Sequence, residues 1–420
     1  MLSHPAPTAV KTYALAGASS RGLYMYGKSI SERYQDTARL VGVYDINSIR
    51  ANLLSKECGG VPVYDSFDAM IANARPDCVI VTTVDRFHHE YIIRSLEAGC
   101  DVITEKPMTI DDVRCRAILE AEKRTGRRVI VTFNYRFAPY VTRVKELLRE
   151  GVIGKVLSVD FEWILDTRHG ADYFRRWHRR KENSGGLLVH KATHHFDMIN
   201  WWIEDDPQIV FATGSRQFYG PTREARGERC STCAHTNTCE YYVDYARDPI
   251  MKALYFDAER EDGYFRDRCV FADDIDIEDT MNAAIRYSKG VTMSYSLIAH
   301  SPYEGWRVAL NGSHGRIEAE EFHSGSRANE PSQQIKIFNR KGETVVYDIP
   351  KATGNHAGGD DRLLDRLFGG HASPDPLGYM ANSWSGAMSI LIGIAANQSI
   401  ATGQPIAIAD LLMDEPENRT

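Results

Sequence analysis

A carboxylate and an ammonium group stand side by side in Glu105-Lys106-Pro107, directly after the short apolar run Val102-Ile103. Short apolar runs are typical of strands in parallel sheets, and a proline ends such a strand because it has no N–H to donate. Ligands bind at the carboxyl ends of the strands in open α/β sheets. A lysine held there can move a proton, since burial and nearby positive charge lower its pKa. The alternative is an ordinary surface Glu-Lys pair before a turn.

Histidines are concentrated in the segment from Ser184 to Trp202. His190, His194 and Asp197 have the spacing i, i+4, i+7, which places them on one face of a helix. Imidazoles in this arrangement can accept or relay a hydroxyl proton near neutral pH. Histidines at i, i+4 can also bind a metal ion, and helix packing is the third alternative. The pair Gly185-Gly186 precedes them and would let a ligand approach the backbone.

Four of the eight cysteines cluster in a segment with few apolar residues, from about 217 to 279. Thiolates with C-x₂-C spacing bind zinc tetrahedrally, and the remaining ligand usually comes from a distant segment. An iron–sulfur cluster or unpaired thiols are the alternatives. The prediction is a structural zinc ion held by Cys230, Cys233, Cys239 and Cys269.

A strand, a glycine turn and a helix are predicted at the start of the chain. The strand Tyr13–Ala16 runs into Gly17-Ala-Ser-Ser-Arg-Gly22, which matches the dinucleotide fingerprint G-x-G-x-x-G except that Ser19 replaces the middle glycine. The next strand ends at Asp45, at the distance that the fingerprint requires. Its carboxylate would accept hydrogen bonds from ribose hydroxyls and repel a 2′-phosphate, so NAD is predicted as the cofactor and NADP is disfavoured.

Strands and helices continue to alternate through residue 133, which predicts an N-terminal doubly wound parallel sheet of the Rossmann type. Thr82 and Thr83 end one of its strands. Period-two segments then dominate residues 134–420 and predict an α+β domain with a large, mostly antiparallel open sheet. The predicted domains are therefore 1–133 and 134–420, with 217–279 as an insertion. A long helix over Tyr379–Thr402 is expected to pack on that sheet or on the first domain.

Composition excludes several classes of protein. A net charge of −7 over 420 residues argues against a nucleic-acid or anionic-membrane surface. Met1 to Val10 lacks the basic start and apolar run of a signal peptide, and no apolar segment is long enough to span a bilayer. We therefore expect a cytoplasmic protein whose partner is a small molecule.

Taken together, these motifs resemble the Gfo/Idh/MocA oxidoreductase family over nearly the whole chain. The resemblance implies a Rossmann domain, a second domain with an open sheet, and a homodimer or homotetramer that packs through that sheet. It also implies a nicotinamide cofactor and a carbohydrate or polyol substrate. The matching residues are Gly17-x-Ser19-x-x-Gly22, Asp45, Thr83-x₄-His88, Leu96-Glu-Ala-Gly99, Glu105-Lys106-Pro107, Asn134-Tyr-Arg-Phe137, Ser184-Gly-Gly186, His194, Gly358-Gly-Asp360 and Ile392 to Ile400.

The resemblance assigns roles to individual residues. Lys106 would be the catalytic lysine and His194 the catalytic histidine, whereas His190 stands where the family usually has an aspartate. His169, Asp172, Tyr173, Arg176, Trp177 and Lys191 offer hydrogen bonds and rings suited to a sugar. The predicted cofactor residues are Gly17, Ser19, Ser20, Arg21, Gly22, Asp45, Thr82, Thr83, His88, Glu105, Lys106 and Asn134.

Three functions remain open at this point. The first is NAD-dependent oxidation of a CH–OH group, with Lys106 and His194 as the proton relay. The second is an NAD-dependent glycoside hydrolase or lyase that uses transient oxidation and elimination with no net redox change, for which His190 would supply an additional base. The third is a sensor or partner protein with an inactive Rossmann site.

Overall fold

The computed structural model describes residues 10–370 and 374–413, which form two β-sheets with helices packed around them. Residues 1–9, which make up most of the segment tested for a signal peptide, lie outside these ranges. Within the ranges, none of the helices combines the length and apolar composition needed to cross a bilayer.

The first sheet is parallel and doubly wound, as predicted. Its spatial order places the first strand between the second and the third, so the chain reverses direction across the sheet at that point. Ligands bind at such a switch point, outside the carboxyl ends of the strands. The strands are β1 (Lys11–Ala16), β2 (Ala38–Tyr44), β3 (Cys78–Val81), β4 (Asp101–Thr104) and β5 (Val129–Val131).

Helices connect these strands and begin and end at recognisable residues. Asp111 caps one of them by accepting a hydrogen bond from the Arg114 amide at 2.8 Å, and Gly126 ends it in the left-handed conformation. The helices are α1 (Lys28–Arg33), α2 (Ser48–Glu57), α3 (Phe67–Ala74), α4 (His88–Glu97), α5 (Asp112–Thr125) and α6 (Pro139–Arg149).

The second sheet has nine strands and is mostly antiparallel, as predicted. Alternate residues of Thr280–Tyr287 are buried and exposed, which gives the sheet the expected solvated face. The strands are β6 (Val156–Asp166), β7 (Pro207–Ser215), β8 (Thr280–Tyr287), β9 (Thr292–Ser301), β10 (Gly305–Gly312), β11 (Gly315–Phe322), β12 (Ser332–Asn339), β13 (Thr344–Pro350) and β15 (Ile406–Ala407); β14 (Ala381–Asn382) pairs antiparallel with β5 in the first sheet.

The remaining helices surround the second sheet and the junction between the domains. They are α7 (Thr167–Arg175), α8 (Lys181–Ser184), α9 (Leu187–His190), α10 (Thr193–Ile203), α11 (Pro249–Met251), α12 (Glu259–Asp262), α13 (Gly359–Phe368), α14 (Ser383–Thr402) and α15 (Ile408–Leu412). Two π-helical segments lie at Gly22–Gly27 and Lys252–Phe256. Short 3₁₀ helices lie at Asp85–Phe87, Asn134–Phe137, Trp177–Arg179, Cys230–Thr232, Tyr245–Arg247, Ser326–Asn329 and Asn355–Gly358.

The long helix α14 satisfies both alternatives predicted for it. It contacts β7, α9 and α10, and it also contacts β5 and α5 of the first domain. The helix begins at Ser383 rather than Tyr379 because Asn382 caps it, accepting a hydrogen bond from the Ser385 amide at 3.0 Å.

Three strands of the described residues were not predicted. β14 and β15 have two residues each, too few to show a period-two pattern. β13 forms the edge of the second sheet, and every residue from Thr344 to Pro350 is at least partly exposed. A strand that buries neither face fully shows no strong period-two pattern, so its sequence carries little signal.

Candidate active site

A crevice of about 520 Å³ runs along the carboxyl edge of the first sheet and separates it from the second domain. The carboxyl ends of parallel strands meet at one edge, so residues far apart in sequence converge there. Its walls include sixteen of the predicted residues: Gly17, Ser19, Arg21, Asp45, Thr82, Thr83, His88, Glu105, Lys106, His169, Asp172, Tyr173, Arg176, Trp177, His190 and His194.

The glycine turn is shaped for close approach. Gly17 has φ of +103°, and a Cβ atom built there would lie 2.7 Å from the backbone of Thr82 and Thr83. A Cβ at Gly22 would lie 2.4 Å from the Gly17 carbonyl oxygen. Ser19, in place of the middle glycine, accepts a 3.3 Å hydrogen bond from the Gly22 amide. The positions of Gly17 and Gly22 therefore both require glycine, as the tight turn of the dinucleotide fingerprint does.

Asp45 lies at the rim of this turn, at the end of β2. Its carboxylate accepts hydrogen bonds from the Ala18 amide at 2.6 Å and the Asn47 amide at 2.8 Å. Burial raises the pKa of Asp45, and the two amides act in the opposite direction. Arg50 lines the same rim and is ion-paired with Asp262 at 2.6 Å.

Glu105 is held in a network that extends to the second domain. It accepts hydrogen bonds from Arg21 at 2.7 Å and from the Tyr26 hydroxyl at 2.6 Å. Although burial acts against ionisation, Arg21 and Tyr26 lower the pKa of Glu105 overall. Arg21 also forms an ion pair with Asp360, its Nη1 lying 3.1 Å from Oδ2. The Asn134 side-chain amide donates a hydrogen bond to the other carboxylate oxygen of Asp360. Asn134 therefore supports the wall without lining it.

His88 links two loops of the crevice. Its ring nitrogens lie 2.9 Å from the Pro107 carbonyl oxygen and 3.1 Å from that of Thr83. With both nitrogens facing backbone carbonyls, His88 holds the loop after β3 against the loop that carries Lys106.

Lys106 extends from the end of β4 toward the second domain. Its Nζ donates to the His190 carbonyl oxygen at 3.3 Å, and the peptide bond to Pro107 is cis. Burial lowers the pKa of Lys106 to about 8; the charge of Lys191 also lowers it, whereas Asp85 acts in the opposite direction. A substantial neutral fraction near pH 8 makes this lysine able to accept a proton.

A carboxylate that the sequence analysis missed contacts His190. Asp85 Oδ2 lies 2.5 Å from His190 Nδ1, and the two residues are 3% and 8% exposed. Burial raises the pKa of Asp85 well above its ordinary value, against the charges of Lys106 and Arg176, and lowers that of His190 well below its own. The position of Asp85, just beyond the carboxyl end of β3, was the signal that could have identified it.

The single helix predicted to carry His190, His194 and Asp197 on one face is two helices in the structure. α9 ends at His190 and α10 begins at Thr193, yet His190 and His194 both line the crevice. His194 Nδ1 is buried without a hydrogen-bond partner, and burial lowers the pKa of His194 well below its ordinary value. Asp197 does not reach the site because it forms a buried ion pair with Arg136, at 2.5 Å.

Aromatic rings form the wall on the side of the second domain. Tyr173 lies edge-on to His190 with ring centroids 5.5 Å apart, and Trp177 stacks on His178 at 3.6 Å. The Tyr173 hydroxyl is 3.0 Å from His169. Lys191, predicted to face the substrate, is instead buried with its Nζ 4.7 Å from the Trp163 ring.

Two further predicted residues, Ser20 and Gly22, belong to the glycine turn but do not line the crevice.

The insertion contributes three residues to the crevice wall that were not predicted. They are Tyr255, Asp262 and Tyr264. Nothing in the sequence indicated these three residues, because the insertion has little apolar periodicity.

The predicted zinc site is not supported. The four cysteines line one small cavity, but the described ranges contain no group of three or more His, Cys, Asp and Glu side chains placed to hold a metal ion. Cys230 Sγ instead accepts a hydrogen bond from Arg175 at 3.1 Å, and a guanidinium there opposes a cation. The histidine-pair metal alternative is likewise unsupported. Cys230, Cys233, Cys239 and Cys269 are free thiols.

Comparisons with known proteins cover nearly the whole chain. Residues 11–133 match the family model described as "Oxidoreductase family, NAD-binding Rossmann fold", and residues 145–408 match "Oxidoreductase family, C-terminal alpha/beta domain". The chain is 39% identical to YteT of Bacillus subtilis (strain 168), a protein named as an oxidoreductase, and the match covers 96% of this chain and 99% of YteT.

Two further similarities are more distant. Inositol 2-dehydrogenase of Rhizobium meliloti (strain 1021) is 30% identical over 48% of this chain and 58% of its own length. The crystal structure of the WlbA dehydrogenase from Bordetella pertussis, in complex with NADH and UDP-GlcNAcA, aligns with a TM-score of 0.65 at 18% identity over 95% of this chain and 98% of that one.

Proposed function

The chain belongs to the Gfo/Idh/MocA oxidoreductase family, and on that premise we propose that it oxidises a CH–OH group of a sugar, polyol or sugar derivative with NAD. One observation carries the proposal: Lys106, His190 and His194 all face the crevice that the glycine turn also lines. The inositol dehydrogenase among its relatives supports a polyhydroxylated substrate.

The choice of NAD is supported by charge at the adenosine end of the crevice. Asp45 and Asp262 both line it, and two carboxylates disfavour the 2′-phosphate of NADP. Arg50, which also lines the crevice, forms an ion pair with Asp262 through Nη1, so its charge is already compensated by a carboxylate.

Proton transfer is assigned to Lys106 and His194. A nicotinamide cofactor held at the glycine turn would supply the acceptor for the hydride of the carbinol carbon. Lys106, with a pKa of about 8, accepts the hydroxyl proton in its neutral form. His194 is kept neutral by burial and holds the hydroxyl oxygen through hydrogen bonding.

Asp85 takes the place of the carboxylate that relatives carry four residues before the catalytic histidine. It binds His190 Nδ1, which leaves Nε2 as the ring nitrogen available to the substrate. The carboxylate–imidazole pair is thereby built from two domains rather than from one helix. Tyr173, Trp177 and Arg176 complete the substrate wall with two rings and a guanidinium.

The test is NADH formation with a panel of inositols, glycosides and aldoses. We expect at least one substrate to be oxidised. Lys106→Ala should lower kcat by about 10²- to 10⁴-fold, because it removes the proton acceptor. Asp85→Asn should lower kcat by about 10-fold or more, because it misorients His190 and removes the charge that raises the pKa of Lys106. Unchanged turnover in Lys106→Ala would remove this lysine from the proposed mechanism, whereas NAD binding without oxidation of any substrate in the panel would support the sensor alternative.

Redox-assisted glycoside cleavage is the second candidate, and the Asp85–His190 pair favours it. Simple alcohol oxidation needs one proton acceptor, and this crevice holds a further buried base beside Lys106. Oxidation acidifies the neighbouring C–H, so a second base could remove that proton and expel the leaving group. Glycoside turnover without net NADH would favour this candidate over the dehydrogenase.

Assembly through the second sheet is part of the proposal. Its solvated face forms a shallow depression whose opposite charges could pair between copies of the chain. Light scattering of the purified protein distinguishes a homodimer or homotetramer from a monomer. Residues that line the depression include Asp160, Glu162, Arg307, Arg316 and Glu318.

A further inference from the structure

The insertion reaches from the second domain onto the Rossmann domain. Within it we define the strap as residues 249–264. Leu254 and Ala258 of the strap are fully buried, and their carbonyl oxygens accept hydrogen bonds from Arg50 and Asn47, both at 2.9 Å. Glu261 accepts from the amide and hydroxyl of Ser48 at 2.6 and 2.8 Å. These hydrogen bonds hold the strap against the segment that follows β2, beside the crevice.

One strap side chain contacts the glycine turn itself. The Tyr255 hydroxyl accepts a hydrogen bond from the Ser20 amide at 3.2 Å and donates to Ser20 Oγ at 3.0 Å. Amides at this position, where the turn enters its helix, are those that meet the phosphates of a dinucleotide. The Tyr255 ring is buried, and the residue lines the crevice.

Positive charge lies behind that hydroxyl. Arg266, which is 7% exposed, and Arg176 share a single carboxylate, Asp172, at 2.8 and 3.1 Å. Two guanidinium groups against one carboxylate leave a net positive charge, and Arg266 Nε is buried without a partner. The guanidinium of Arg266 lies 5.4 Å from the Tyr255 ring. Although burial acts in the opposite direction, Arg266 and Arg176 lower the pKa of Tyr255.

A hydroxyl backed by positive charge is a donor suited to an anion, and the Tyr255 proton, which Ser20 Oγ accepts in this structure, can turn to a phosphate bound beside it. Tyr264, on the same strap, also lines the crevice, and its hydroxyl is buried without a hydrogen-bond partner. Two tyrosines of the insertion therefore lie on the crevice wall, one of them with its hydroxyl at the glycine turn.

We propose that the insertion completes the dinucleotide site, with Tyr255 as a ligand of the pyrophosphate and the strap as its outer wall. The inference rests on the proposed function, since it requires a dinucleotide in the crevice. It assigns cofactor binding to a segment outside the Rossmann domain. The strap also has to separate from the glycine turn before the cofactor leaves, so dissociation is slowed by it.

The test compares ligands that do and do not carry the pyrophosphate. Calorimetry measures the affinity of the full chain for NAD, ADP and adenosine, and stopped-flow fluorescence measures NADH dissociation. Tyr255→Phe keeps the ring and removes the hydroxyl. We expect affinity for NAD and ADP to fall about 10- to 100-fold, as for a lost hydrogen bond to a charged group. Affinity for adenosine should stay the same, and NADH should dissociate faster.

A matched control is Tyr241→Phe, which removes a hydroxyl from a buried insertion tyrosine that does not line the crevice. It should bind all three ligands as the unaltered chain does. Equal affinities in Tyr255→Phe and the unaltered chain would overturn the assignment, as would an equal loss for adenosine and ADP. If the unaltered chain bound no dinucleotide, the proposed function itself would fail. A thermal melt confirms that each variant is folded.

Discussion

Burial acts in the same direction on three basic groups at the crevice. It lowers the pKa of Lys106, His190 and His194, which shifts all three toward the neutral forms that accept protons. The pKa of Lys106 falls only to about 8, because the charge of Asp85 favours the protonated amine. Of these three groups, Lys106 is therefore the one that changes protonation state at mildly alkaline pH.

The pH dependence of oxidation should follow this residue. We expect kcat/KM to rise with pH through an apparent pKa near 8, since only the neutral amine accepts the hydroxyl proton. In Lys106→Arg the guanidinium stays protonated, so activity should fall by about 10²-fold or more and the limb near pH 8 should disappear. Lys123→Arg, at an exposed position of α5, serves as the control. Persistence of that limb in Lys106→Arg would assign it to another group.

At the scale of elements, α14 sets the position of the histidine-bearing segment. A Cβ at Gly393 would lie 2.2 Å from the Leu188 carbonyl oxygen, so α14 meets the backbone of α9 there. A Cβ at Gly386 would meet side chains instead, Val131 at 2.8 Å and Met108 at 3.1 Å. Side chains can shift, whereas a backbone contact moves the whole of α9 and with it His190.

Two glycine variants therefore differ in a measurable way. Gly386→Ala should lower the free energy of unfolding by about 1–3 kcal/mol through overpacking, partly offset by about 1 kcal/mol of helix propensity. Gly393→Ala should cost more and should also lower kcat, because α9 has to move. Urea unfolding and steady-state kinetics measure the two effects. Equal stability and kcat in both variants would contradict this account of the α9–α14 contact.

For the whole molecule, a buried ion pair fixes the segment that follows β5 to the histidine helix α10. Arg136, just after β5, pairs with Asp197 on α10, and their side chains are 6% and 2% exposed. Arg136 also donates to the Gly378 carbonyl oxygen at 2.8 Å. Burial raises the pKa of Asp197 while Arg136 opposes that rise. The pair holds the histidine helix against the segment by which the chain leaves the first sheet, and neither residue lines the crevice.

Breaking this pair should destabilise the protein strongly. Asp197→Asn leaves a buried guanidinium without its counter-charge, which costs about 3–5 kcal/mol. Replacing both partners by Met and Leu should restore most of that loss. Arg128→Met, which breaks an exposed pair with Asp101, should change stability by less than about 1 kcal/mol. Urea unfolding compares the variants. A double variant no more stable than Asp197→Asn would contradict the electrostatic explanation.

Local patterns in the sequence were sufficient for much of this molecule. The period of apolar residues predicted both sheets, and the glycine turn with Asp45 predicted the cofactor crevice. The strand that ends beside Lys106 predicted its place at the carboxyl edge of the sheet, because strand ends and turns depend on a few neighbouring residues. β13 was missed because an exposed edge strand has no such pattern.

Only the tertiary structure decided which distant residues meet. Asp85 contacts His190 from another domain, and Tyr255 contacts Ser20 across 235 positions of the chain. Cysteine spacing predicted a zinc site, yet spacing does not determine where thiols point, and Cys230 faces Arg175. Contacts of this kind depend on how the domains pack, and packing is the sum of many long-range contacts that no short stretch of sequence contains.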